Sequence, residues 1–405
     1  MAITKKDIGI LKDMAKKQLE YANTPENKKR EAAWYAHNDL KSDIPMVTIE
    51  EWTFHHEVAR AYSCETEEGR SFEGQLLGNI TAREDIDDDR ATPDFYAVYR
   101  NTWFRPFGVD SQSRYIEGSS AHEFIPVIND LEADCHRFKA SDWGFDFNKE
   151  YLEQAQEIFS EIMPVVQLTS GPGAGLSYML TSRMTLETML VSIIDYPELF
   201  HKYISQLADD CAEYLRELEN AGYFITNNKN QGLGQGTYAH TNDLVTKDPA
   251  NIKDMWGYFD SQETSGISPD MFKEFFFPYY KKLMDMCGLI SYGCCEPVHS
   301  IWDNCLETVA NLRKLSISPW CNEKMIAERI KDKGIIYHRK PSPNLLGATV
   351  FDEEAYAKHI RETLEAARGC KLEFSLRDIY SLGGERTRAK RVVKLIKEQI
   401  ETYWR

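Results

Sequence analysis

The chain has 405 residues, 42% of them hydrophobic and 28% charged, which suits a soluble globular protein long enough for one barrel-sized domain or several smaller ones. Its formal net charge of -16, with no basic stripe of useful length, argues against nucleic acid as the main partner, because phosphate backbones are held by clustered lysine and arginine. No stretch approaches the roughly 18 uninterrupted apolar residues of a membrane span, the opening Met-Ala-Ile-Thr-Lys-Lys-Asp has no long apolar run, and nine cysteines, an odd number, fit reduced thiols or metal ligands better than a disulfide framework; a cytoplasmic protein with no membrane contact is expected.

Residues 1–160 are irregular in rhythm and are expected to form an N-terminal helical and irregular extension covering a barrel. A charged helical pattern runs over 5–22, and 45–49 reads as a first strand. Directly after it come Trp52, Phe54, His55 and His56, an aromatic cluster that suits either a planar organic substrate at a barrel mouth or the packing of the N-terminal segment. Trp103 and Phe104 form a second cluster. The acidic run Glu84-Asp-Ile-Asp-Asp-Asp is expected to be a solvated loop, because adjacent carboxylates without turn geometry rarely converge on a cation.

From 162 onward short apolar runs alternate with helical patterns. The runs are 162–168, 223–227, 254–259, 289–294, 315–320, 335–338 and 372–376, and with 45–49 they make eight strands. Helices are expected over 186–218 with a break near Pro197, and over 269–287, 324–331, 353–368 and 389–403. Eight such units point to an α/β fold of the (β/α)₈ TIM-barrel type, with a doubly wound open sheet as the alternative that alternation alone leaves standing. A barrel sets its chemistry at the carboxyl ends of the strands.

Several motifs fall at those ends. Gly171-Pro-Gly-Ala-Gly175 lacks the lysine and hydroxyl of a phosphate loop and reads as a tight turn lining the pocket. Gly232-Leu-Gly-Gln-Gly236 reads as a flexible mouth loop leading to Tyr238 and His240, the latter a candidate substrate contact and catalytic group. Glu263, just ahead of a helix start at Ser268-Pro269, is a candidate base or further ligand on the rim, with solvent exposure at equal odds. The run 289–299 closes on Cys294, Cys295 and Glu296, 314–320 closes on Cys321, and 334–337 closes on His338. Three consecutive strands thus carry zinc-type donors toward one rim, the competing account being a cysteine-rich mouth without metal. Neighbouring side chains alternate along a strand, so only one of Cys294 and Cys295 faces inward unless the chain has turned at Gly293. Arg339, Arg377 and Asp378 either pair between strands or orient an anionic substrate. The remaining cysteines, Cys64, Cys135, Cys211, Cys287, Cys305 and Cys370, read as small core hydrophobes.

Asp260-Ser-Gln-Glu-Thr-Ser-Gly-Ile-Ser-Pro, continuing into Ser291-Tyr-Gly-Cys-Cys-Glu-Pro, together with Ile317-Ser-Pro-Trp-Cys-Asn and His338-Arg-Lys-Pro-Ser-Pro-Asn, resembles the uroporphyrinogen decarboxylase superfamily, and most closely its branch of zinc- and corrinoid-dependent methyltransferases. The likeness covers about 160–405 and implies one (β/α)₈ domain over 1–405. It further implies methyl transfer from a small methylated substrate to the corrinoid of a separate partner protein, since the chain has no Asp-x-His-x-x-Gly stretch to bind a corrinoid itself. The aromatic mouth (Trp52, Phe54, Trp103, Phe104 and Tyr238) favours a methoxylated aromatic donor. Where methylcobamide:coenzyme M methyltransferases end a strand in His-x-Cys-Gly, this chain has Tyr292, Cys294 and Cys295, so Cys294 carries over as a zinc ligand and Cys295, Glu296, Cys321 and His338 are the candidates to complete the set. Glu263, His240 and Tyr292 are the candidate catalytic residues, and Trp52, Phe54, His55, Trp103, Tyr238 and Arg339 the candidate substrate contacts. An oligomer is compatible with this reading. The arginine- and glycine-rich N-terminal signature of true decarboxylases is missing; a cofactor-free lyase acting on an organic acid through Arg339 and Arg377 is the alternative.

Overall fold

A computed structural model describes residues 3–115 and 122–404. Six of the runs expected as strands lie side by side in one parallel sheet, in the order Met46–Ile49, Lys371–Leu376, Ile336–Arg339, Leu312–Ile317, Leu289–Tyr292 and Trp256–Phe259, with the unexpected Gly173–Ala174 as a seventh member. The first strand of the sheet pairs with the last in sequence, Met46 opposite Glu373 and Ile49 opposite Leu376, which curls the chain's two halves together.

This is a TIM-barrel-like α/β fold, but among the described residues the ladder does not close into a ring of eight. The run 223–227 is not a strand. Side chains take over the ladder's hydrogen bonds there: the Asn227 amide donates to the Trp256 carbonyl at 3.0 Å and accepts from the Trp256 N–H at 2.8 Å, and the Thr169 hydroxyl accepts from the Ile225 N–H at 3.1 Å. The strand expected at 162–168 forms, as Val165–Leu168, but pairs with Tyr96–Tyr99 in a separate two-stranded sheet. At the other margin Asp89 meets the first strand, its carboxylate accepting from the Val47 N–H and its own N–H donating to the Val47 carbonyl. The acidic run is therefore not a solvated loop. Asp88 is fully buried and accepts from the Ile49 N–H and from Arg90.

Strand alternation sorts the residues into two environments. Val47, Ile49, Ile290, Tyr292, Leu315, Ile317, Tyr337, Leu372, Phe374 and Leu376 belong to the apolar core between the sheet and its helices. The intervening positions, Thr48, Ser291, Lys314, Ser316, His338, Glu373 and Ser375, are polar and buried; Thr48 and His338 both bond Ser375, Lys314 bonds Glu373, and Ser316 donates to the Cys294 carbonyl. The covering helices start where the sequence places them: Ser268 caps Pro269–Phe275 by accepting from the Met271 N–H, and Pro197 opens Pro197–Asn220 after Leu186–Asp195 ends. The helix expected over 269–287 breaks at Phe276, because Pro278 has no N–H to give the Glu274 carbonyl and its ring crowds that turn.

The N-terminal region adds the helices Lys5–Ala22 and Pro25–Asn38 and two antiparallel strand pairs, Asn101–Arg105 with Asp142–Asp146 and Gln112–Tyr115 with His122–Ile125. Pro25–Asn38 sits under the N-terminal ends of the strands, where Asn38 donates to the Tyr238 and His240 carbonyls and His37 meets Glu373. No helix among the described residues is long and apolar enough to cross a membrane.

Candidate functional site

The lumen is filled from below. Lys314 donates to Glu373 at 2.9 Å and to the Thr237 hydroxyl at 2.6 Å, and both charges are fully enclosed. Burial works against the Glu373 carboxylate, but Lys314, with the hydrogen bond from His37, holds it well below the usual carboxylate range. His338, expected on the rim as a ligand, belongs to this buried layer instead. Its Nε2 shares a hydrogen bond with Ser375 at 2.8 Å, and burial pushes it down to about 3, so the ring is neutral. His240 is also no mouth residue. It is fully buried, stacked near Trp34 and edge-on to Tyr35, with neither ring nitrogen hydrogen-bonded, and burial pushes it down to about 3.

The glycine loop expected to be mobile at the mouth is a short hairpin, Gly232–Gly234 with Thr237–Tyr238, seated inside the lumen. The Gly236 carbonyl accepts from the Thr48 hydroxyl at 2.6 Å, and a Cβ on Gly236 would stand 2.9 Å from the Ser375 Cβ, so a side chain there would collide with the wall. Gly234, Gln235 and Gly236 all have positive φ, which turns the tip tightly enough for Gln235 to reach Lys340.

Above this plug lies the group of residues with the most chemistry. The strand Leu289–Tyr292 ends at Gly293, whose φ of +104° turns the chain so that Cys294 and Cys295 lie together, with sulfurs 3.6 Å apart. The turn is clamped by Glu296, whose buried carboxylate accepts from the Cys294 N–H at 2.8 Å and from the Ser261 N–H at 2.9 Å. Lys340 follows the strand Ile336–Arg339 on the same face as His338; its buried ammonium donates to the Cys294 carbonyl at 3.0 Å and to Gln235. Arg377, beyond the last strand, lies beside Glu50 and Asp378, with Nε and one terminal nitrogen buried and not hydrogen-bonded. Asp260 accepts from the Tyr258 hydroxyl at 2.6 Å, and burial raises its carboxyl above the ordinary value. The two thiols share a hydrogen bond in which either sulfur can donate. With Cys294 as the donor it raises Cys294 and lowers Cys295, and Lys340 and Arg377 add to the lowering of Cys295 against burial and Asp378.

The donor set expected for zinc does not come together. Among the described residues no three histidine, cysteine, aspartate or glutamate side chains are placed to hold a metal ion. Glu296 spends both oxygens on backbone N–H groups, His338 bonds Ser375, and the Cys321 sulfur is paired with the Ser318 hydroxyl. That leaves Cys294 and Cys295 beside two cations, and positive charge next to the thiols disfavours a divalent ion.

No protein-family profile and no curated protein sequence matches the chain. Among solved structures it is similar to a methyltransferase from Methanosarcina mazei, at a TM-score of 0.50 and 12% identity, over 91% of this chain and 98% of that one. A B12-independent methionine synthase from Shewanella sp. W3-18-1 aligns over 89% of this chain and 98% of its own at 11% identity, with a TM-score of 0.32 that carries no argument. The first likeness shows the fold alone, a TIM-barrel-like α/β architecture.

The other expected site residues divide by position. Trp52, His55 and Tyr238 line a cavity of about 540 Å³, together with Glu50, Arg90 and Tyr99. The turn at Gly171–Gly175 lines a second, of about 400 Å³, as expected of it, with Tyr99 and Tyr258. Phe54 does not reach either, being fully buried in the core. Trp103 lies on the antiparallel pair away from both cavities, its indole against Gly144. Glu263 is half-buried and accepts from the Ser177 hydroxyl at 2.7 Å. Tyr292 and Arg339 point the other way: Tyr292 bonds the Ser261 hydroxyl from within the core, and Arg339 pairs with Glu323 at 2.6 Å and donates to the Ser318 carbonyl at 2.7 Å. Lys340, Asp260, Tyr258, Gln235 and Glu50 were not singled out from the sequence. For Lys340 the signal was there, because it shares strand parity with His338 and Arg339 does not.

Proposed function

We propose that the chain is a methyltransferase working at the C-terminal rim of its sheet, taking the methyl group of a small methylated compound, a methoxylated aromatic being the donor that the cavity wall of Trp52, His55, Tyr99 and Tyr238 fits. The fold likeness and the sequence resemblance support it. The observation that carries it is the gathering of Asp260, Lys340, Arg377 and the Cys294–Cys295 pair above the plugged lumen.

A methyl ether is a poor methyl donor because its oxygen leaves with negative charge. Asp260 holds its proton above the ordinary carboxylate range and can release it to that oxygen as the carbon–oxygen bond breaks, while the Tyr258 hydroxyl engages the other carboxyl oxygen. Burial pushes Lys340 below the ordinary lysine value, but where it carries its proton the ammonium supplies positive potential in an enclosed site, where it acts more strongly than in water. The methyl acceptor is the corrinoid of a partner protein, as the resemblance implies; no step is assigned to zinc, whose ligand set does not fit. Incubating the protein and a reduced corrinoid protein with methoxyarenes, methylamines and methyl thiols tests this. Loss of methyl from a methoxyarene, abolished by Asp260→Asn, is the expected result, and no demethylation of any donor overturns it.

A second reading rests on the two cations. Lys340 and Arg377 suit a carboxylate, so a cofactor-free lyase would bind an organic acid there and use Asp260 to protonate the carbanion left as carbon dioxide departs. It requires Lys340 in the role earlier given to Arg339. Release of carbon dioxide from an organic acid without any corrinoid protein would favour it over methyl transfer.

A further inference from the structure

We propose that Cys294 and Cys295 form a peroxide-sensitive modification site, at which oxidation joins the two neighbouring sulfurs in a disulfide and switches the rim off. The proposal stands on geometry and does not depend on which reaction the site performs. Of the nine cysteines, these two have sulfurs 3.6 Å apart, and none of the nine is in a disulfide. Cys294 is buried while Cys295 is half-buried, so the outer sulfur is the one an oxidant reaches first. Lys340 and Arg377 stand on the same side and favour the Cys295 thiolate, the form that attacks. Gly293 has already turned the chain out of strand geometry, which is why adjacent residues present both sulfurs to one place.

The chemistry balances with hydrogen peroxide as the oxidant. The Cys295 thiolate attacks one peroxide oxygen, the O–O bond breaks, and hydroxide leaves, giving a sulfenic acid. The Cys294 sulfur then attacks the Cys295 sulfur, the S–O bond breaks, and the departing hydroxide takes the Cys294 proton as water. Two thiols lose two electrons and two protons in all, and one peroxide becomes two waters. Consecutive Cα atoms are held about 3.8 Å apart by a trans peptide, shorter than the separation most disulfides adopt, so the product is strained and easily reduced. A strained, reducible bond suits a reversible device better than a structural staple.

Peptide mapping of the full chain after peroxide treatment decides the matter without an activity assay. The expected result is that the peptide holding residues 294 and 295 loses two hydrogens, regains them with a dithiol reductant, and no longer reacts with a thiol alkylating agent. In Cys294→Ser the sulfenic acid of Cys295 should persist and be trapped by dimedone; in Cys295→Ser neither product should form there. Finding the peptide unchanged while Cys135 oxidises, or Cys295 passing to sulfinic acid without joining Cys294, or either sulfur joined to Cys321, overturns the proposal. Because the readout is mass on wild-type protein, a variant that fails to fold leaves the test intact, and failure of methyl transfer does not touch it.

Discussion

The Lys340 ammonium lies 3.0 Å from the Cys294 carbonyl oxygen while also donating to the Gln235 side chain, so one buried cation ties a strand end, the thiol turn and the tip of the lumen plug together. Replacing it by methionine keeps the volume and removes the charge. The two acceptors it serves are left without a donor, a loss of about 1–3 kcal/mol that relief of the lysine's own desolvation partly offsets. The sharper effect is on Cys295, which loses a nearby positive charge. In Lys340→Met the pH midpoint of Cys295 alkylation should move upward and the rate at neutral pH should fall several-fold. An unchanged alkylation profile would show that Lys340 does not act on the thiol pair.

Asp260 gives a pH signature with a definite sign. Its carboxyl is raised by burial, and the proposed role needs the protonated form, so the rate should be full below that raised value and decline as pH rises through it. Asp260→Asn keeps an amide in contact with Tyr258 but has no acid to give. Its rate constant should fall by about 10²-fold or more, and the alkaline decline should disappear. Steady-state rates between pH 4 and pH 9 check both points; a variant that keeps the wild-type decline assigns that limb to another group.

How much of this was legible in the sequence follows strand parity. Short apolar, β-rich runs alternating with helical patterns mark the strands, and six of those runs lie in the main sheet. Ring closure was not legible, because around 223–227 Asn227 and Thr169 side chains replace backbone pairing and the sequence shows only an apolar run. The thiol turn was found through Gly293-Cys294-Cys295, but residues were assigned to the rim by chemical type rather than by face. That is why His338, one layer too deep, and Arg339, on the wrong face, were chosen over Lys340. His240 is misplaced for a different reason: a glycine-rich loop reads as mobile and exposed, and Gly232 and Gly234 are exposed, but the chain closes on the lumen wall at Gly236 and is fully buried by His240.

Arg339 can be separated from the site experimentally. It is buried against Glu323 and the carbonyls of Ile317 and Ser318, and removing one partner of such a pair costs about 3–5 kcal/mol, somewhat less here because Glu323 is partly exposed. Arg339→Met should therefore lower the denaturation midpoint clearly. Folded variant protein should keep the wild-type KM, since no substrate-facing atom has changed. A raised KM with unchanged stability would return Arg339 to the substrate contacts.

Gly236 tests whether the hairpin truly fills the lumen. Alanine there combines a φ of +79° with a Cβ only 2.9 Å from that of Ser375, and should destabilise by about 1–3 kcal/mol. Adding Ser375→Gly relieves the collision but not the backbone strain, so the double variant should recover part of the loss. Additive destabilisation in chemical denaturation would mean that the two residues do not touch.

His240 is the cleanest probe of acid stability. In the folded chain burial, with Lys314 nearby, pushes it down to about 3, whereas an exposed histidine titrates near 6.5. Between those values the unfolded state binds the extra proton and the folded state does not, so stability is fully present above pH 6.5 and drains as pH falls toward 3, by up to about 1.4 kcal/mol per pH unit. His338 behaves in the same direction, and the two effects add over that window. His240→Leu removes two ring nitrogens that have no hydrogen-bond partner and keeps an apolar body against Trp34 and Tyr35. It should differ from the wild type by no more than about 1 kcal/mol at pH 7.5, since the lost ring contacts and the lost buried polar atoms oppose one another. At pH 5 it should be the more stable of the two, with a shallower slope of denaturation midpoint against pH than the wild type, whose remaining slope comes from His338, His37 and the other shifted groups. Parallel slopes for the two proteins would mean that His240 is protonated as readily folded as unfolded, which a sealed lumen floor forbids.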